Sequence, residues 1–172
     1  MAEIGNTSDI PADAAGRALH RVSYVLAIAG GGIMIALIVM VVASILGRSL
    51  INTPIYGDFE LVGIGTGIAV SLFLPYCHMC RGNVFVDLFL AQAPPRVRLA
   101  CDAAGSLILA ALAGALAWRT VAGAQDMIAY HEVSIILAIP VWWAFPFVIV
   151  SLGLLSLCAL YTAWRDGRGL FG

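Results

Sequence analysis

Residues 22–47 read VSYVLAIAGGGIMIALIVMVVASILG, a stretch of 26 residues with no charge, closed by Arg21 on one side and Arg48 on the other. As an α-helix it would extend about 39 Å, enough to cross a hydrocarbon layer of about 30 Å. Two more charge-free runs follow, Leu61 to Cys80 and Val133 to Trp164. A fourth, Ala103 to Trp118, reaches spanning length only when it is extended to residues 99–124, taking in Asp102 and Arg119 near its ends. Arg side chains can snorkel to the interface from such positions. None of the runs shows the period-two alternation of a barrel strand, so the backbone must be satisfied within helices.

The whole composition agrees. Of 172 residues, 62% are apolar and 11% charged, and the mean hydropathy is +0.98, whereas a soluble domain carries about a quarter charged residues. Nine basic residues, all Arg, against ten acids leave a formal charge of -1, which argues against a nucleic-acid partner. Four irregularly spaced cysteines do not make a disulfide-stapled module. The expectation is an all-α integral membrane protein with four transmembrane helices at residues 22–47, 61–80, 99–124 and 140–164. It is preceded by a cytoplasmic segment 1–21 and followed by a tail 165–172. Pro140 fits the first turn of the last helix, and Pro146 is expected to kink it.

Arg17, Arg21, Arg81, Arg96, Arg98, Arg165 and Arg168 fall on one side of this arrangement, and Arg48 and Arg119 on the other. The positive-inside rule then places both termini in the cytoplasm. Aromatic residues give an independent reading of the boundaries: Tyr24, Tyr76, Tyr161 and Trp164 at the inner one, Tyr56, Trp118, Tyr130, Trp142 and Trp143 at the outer one. Between the second and third helices, Val84, Phe85, Leu88 and Phe89 form a stripe between Gly82 and Pro94-Pro95. A short helix over 83–93 lying flat at the inner interface is expected there, with an extension of the second helix as the alternative.

The middles of the spans carry no ionisable residue, which disfavours a proton- or ion-coupled carrier built from this chain alone. Cys77-His78-Met79-Cys80 admits a redox or metal-binding role at the inner boundary, with buried reduced thiols as the plainer reading. The outer connections contain no cysteine, against a periplasmic thiol oxidase. Gly63/Gly67 and Ser106/Ala110/Gly114 have the four-residue spacing of close helix contacts, either within the chain or with a partner. On the outer side, Arg48 ends the first helix while Asp58 and Glu60 open the second; an Arg48 to Glu60 ion pair is expected to fix that hairpin, with two separately solvated charges as the alternative.

Pro54-Ile-Tyr-Gly-Asp58-Phe-Glu60, Arg81-Gly-Asn-Val-Phe-Val-Asp87-Leu, Pro94-Pro95-Arg96 and Ile139-Pro140-Val-Trp142, in this order on four helices, resemble the small membrane subunit of tripartite ATP-independent periplasmic (TRAP) transporters. The resemblance covers nearly the whole chain after residue 20. It implies a multi-pass subunit of the bacterial inner membrane with no enzymatic activity and no cofactor of its own. Its implied partners are a large permease subunit that holds the substrate and Na⁺ sites, in a heterodimer, and a periplasmic receptor for organic acids. The small subunit would then be a scaffold, with a small redox subunit using Cys77, His78 and Cys80 as the alternative.

Overall fold

A computed structural model describes residues 13–51, 56–80 and 95–171. Arg81, Asp87 and the expected helix at 83–93 lie outside the described residues. Among the described residues there are four long helices: α1 (Ala14–Ile51), α2 (Asp58–Met79), α3 (Pro95–Ala129) and α4 (Phe145–Phe171). All four are long and apolar enough to cross a membrane, and the chain is an all-α, multi-pass membrane protein. The described residues contain no strand, only an isolated bridge between Val133 and Pro140.

Pro95 opens α3, where the missing N–H of a proline costs no helical bond. Pro140 precedes a single 3-10 turn, Val141–Ala144, and α4 starts directly after it. This places Pro146 in the first turn of α4, where its ring has no preceding carbonyl to strike. The expected kink in the outer third of the helix is therefore replaced by a change from 3-10 to α geometry at the helix start.

The helices pack as an open row in the order α1, α2, α4, α3. In apolar 18-residue windows of the inner members, α2 and α4, 28% and 33% of the residues are buried, against 6% and 11% for the edge members α1 and α3. The inner members are thus better covered than the edges, and α1 also reaches α4 where Ser23 and Cys158 are buried against each other. Lipid offers no hydrophobic drive for helix association, so contacts depend on small residues and interhelical hydrogen bonds. Gly30 lets α1 approach α2 until its Cα side meets the Ala69 carbonyl oxygen, 3.0 Å from where a Cβ would stand. The triple glycine at 30–32 consequently lies inside a continuous helix and does not break it.

Pro75 lies inside α2 and is fully buried. A proline there leaves the carbonyl four residues earlier, that of Ser71, without its helical donor. The Ser151 hydroxyl of α4 donates to that carbonyl oxygen. The break in one helix is thus repaired by the next, which ties α2 to α4 at a fixed register.

Candidate functional site

At the end of the row where α1 finishes and α2 begins, two carboxylates set the geometry. Asp58 and Glu60 are two residues apart, about 200° around a helix, so they face opposite ways. Asp58 turns to α1 and accepts a hydrogen bond from the Ser44 hydroxyl at 2.6 Å. Glu60 turns to the connection between α3 and α4. It accepts from the Ser134 hydroxyl, from the Ile136 amide at 3.0 Å and from the Leu137 amide at 3.2 Å.

Among the described residues Glu60 is therefore not paired with Arg48, and the expected ion pair is replaced by this clasp. The physical reason is geometric. Backbone amides held by a folded loop converge on one carboxylate without further ordering, whereas an exposed Arg on a helix end loses side-chain entropy to make a pair. The hairpin between α1 and α2 is fixed by the Ser44 to Asp58 bond in its place.

The loop itself is closed by Ser134 N–H to Ile139 O at 2.9 Å and Ala138 N–H to Ser134 O at 3.1 Å. His131 and Ala138 occupy left-handed backbone conformations, with φ of 50° and 51°. Leu137 covers Gly57, whose φ is +81° and whose Cβ, if present, would stand 2.4 Å from Leu137 Cγ. Glycine is required at position 57 on both counts. The outcome is a hydrogen-bonded cap on which Ile135 is 97% exposed, with Tyr130 also exposed and Trp142 half-exposed at its two ends in sequence.

The two small-residue stripes have different fates. On α3, Ser106, Ala110 and Ala113 are buried, Ser156 of α4 donates to the Ala110 carbonyl at 3.0 Å, and Gly114 faces Ser156. On α2, Gly63 and Gly67 have open space beyond them. They line a shallow apolar groove with Thr66, Val70 and Leu74, closed on one side by Val148 and Leu152 of α4.

At the opposite end of the row, His78 is buried against α4, its Nε2 at 2.9 Å from Thr162 Oγ1. The Thr162 hydroxyl proton goes to the Ala159 carbonyl, so His78 Nε2 is the donor. Cys158 meets Ser23 of α1 in the same layer, at 3.6 Å. Cys77, Cys80 and Cys101 are exposed. The helical turn thus points His78 inward and its two neighbouring cysteines outward, and no group of three metal-ligating side chains forms among the described residues. Pro95 and Arg96 lie in the first turn of α3. Ser44, Ser134, Ser151 and Thr162 were not singled out from the sequence, although small hydroxyl residues inside apolar spans are the usual glue between membrane helices.

Residues 37–169 match the family described as Tripartite ATP-independent periplasmic transporters, DctQ component. The chain belongs to the DctQ family. The match begins within α1, takes in the Ser44, Asp58 and Glu60 contacts, and ends near the close of α4. No curated protein matches the chain, and no solved structure does. As a DctQ component the chain is a small membrane constituent of a TRAP transporter, a transport family and not an enzyme family. The redox alternative gains nothing from the family or from the placement of His78.

Proposed function

We propose that this chain is the scaffold subunit of a receptor-dependent importer of organic acids driven by an ion gradient, with Na⁺ as the coupling ion. It would form a stable heterodimer with a large permease subunit that holds the substrate and Na⁺ sites, and work with a soluble periplasmic receptor. Both termini would face the cytoplasm of a bacterial cell, with the Glu60 cap on the periplasmic side. The chain would have no cofactor, and Na⁺ would bind only to the partner.

The observation that carries this reading is the uncovered Gly63–Gly67 face of α2 in an open row. Small residues four apart let a second backbone come close, and among the described residues no helix takes the place. The charge-free span middles support the same reading, since they offer nothing to coordinate an ion or carry a proton. The test is uptake of a labelled organic acid into proteoliposomes holding the large subunit and the receptor, with and without this chain. Uptake is expected only with the chain present; equal uptake without it rejects the role. Gly67→Leu should leave the isolated chain folded while reducing recovery of the large subunit on the tagged chain by about tenfold, a loss of roughly 1.4 kcal/mol.

A further inference from the structure

The opposite side of α2 carries a different feature. Leu61, Ile64, Gly65 and Ile68 form one wall of a cleft of about 360 Å³, α1 supplies Ile33, Ala36, Leu37 and Met40, and Trp143 of the 3-10 turn and Phe147 of α4 supply the third. Its size lies within the range of small-molecule sites, about 300–1,000 Å³. Its shape is set by contacts above and below it, the Ser44 to Asp58 bond toward the cap and the Gly30 to Ala69 approach toward the other end. Trp143 and Phe147 stand edge to face, with centroids 6.3 Å apart, and hold the third wall.

We propose that this cleft is a phospholipid site that takes one acyl chain, with the lipid phosphodiester held by Arg48. Three observations favour a lipid over a partner helix. The lining residues are mostly branched or aromatic, which keeps a second helix axis at a distance, whereas the small residues that admit one lie on the other side of α2. Trp143, a residue type that favours the headgroup layer, lines the cleft and sets its depth next to that layer. Arg48 follows Met40 and Ser44 at four-residue steps, about 12 Å above Met40, exposed and with no ion pair among the described residues. A guanidinium at headgroup depth above an apolar slot has the charge and spacing that a phosphodiester and its chain require.

The test is native mass spectrometry of the full-length chain, purified in detergent, delipidated and titrated with phosphatidylglycerol or with dioleoylglycerol, which lacks the phosphate. One phosphatidylglycerol per chain is expected, bound in preference to dioleoylglycerol. Ala36→Trp, which fills the cleft from an exposed position, should weaken phosphatidylglycerol binding by about tenfold, while Ile35→Trp, on a neighbouring exposed position away from the cleft, should not. Arg48→Gln should abolish the preference for phosphatidylglycerol, and Arg48→Lys should retain part of it. Equal effects of the two tryptophan variants, a preference unchanged by Arg48→Gln, or no stoichiometric lipid would each overturn the proposal. So would disulfide capture of the large subunit by Ala36→Cys in the assembled complex.

Discussion

Two stripes of small residues, on α3 and on α2, look alike along the chain and behave differently in the fold. Ser106, Ala110 and Gly114 are filled by α4, with Ser156 bonded to the Ala110 carbonyl. Gly63 and Gly67 face open space although α2 has a neighbour on each side in the row. The difference teaches that spacing marks a face able to receive a helix, while the chain order of the other helices decides whether one arrives. In this molecule α4 joins α2 through Ser151 and His78 and joins α3 through Ser156. Its Val148 and Leu152 border the Gly63 groove on one side and leave the other side open.

Four measurements sharpen or break that contrast. The largest effect is expected on the filled stripe: Ala110→Leu forces extra volume into the α3–α4 contact, and thermal unfolding of the purified chain should show a loss of about 2–3 kcal/mol. Unaltered stability would mean that the stripe is not packed. Ser151→Ala removes the donor that replaces the missing proline bond in α2 and should cost about 1 kcal/mol in the same assay. If Pro75→Ala is introduced first, the Ser71 carbonyl regains its helical partner, and the Ser151 substitution should then cost much less.

Glu60→Gln exchanges an anion for a weaker acceptor at the cap. Hydrogen exchange at the Ile136 and Leu137 amides should accelerate severalfold, while amides in the middle of α3 and α4 keep their rates. Equal acceleration throughout would show the clasp to be part of the general fold and not a local one. The smallest effect belongs to the open stripe: Gly63→Ala should change the stability of the isolated chain by less than about 0.5 kcal/mol, with a slight gain if helix propensity alone operates. A loss as large as that of Ala110→Leu would remove the distinction between the two faces.

Much of this was open to reading in the residues. Charge-free runs of bilayer length, closed by Arg and acids, specify spanning helices because unsatisfied backbone groups are too costly in hydrocarbon. Glu60 was legible as a residue of the turn between the first two helices, but its partner was not. Arg48 is near in sequence and opposite in charge, whereas Ser134, Ile136 and Leu137 lie more than seventy positions away and contribute mostly backbone amides, which leave no mark in a side-chain pattern. His78 was likewise visible as part of a Cys-rich tetrapeptide, yet one helical turn distributes those four side chains to different sides.

Sequence alone determined that the chain lies in a membrane as four helices, since this follows from the transfer cost of each residue in turn. Tertiary structure decided the order of the row, which small-residue face is filled, what Glu60 holds, and where an apolar cleft stays open beside Arg48. Those depend on which distant segments meet, and hydropathy, being a property of each segment by itself, carries no record of its neighbours.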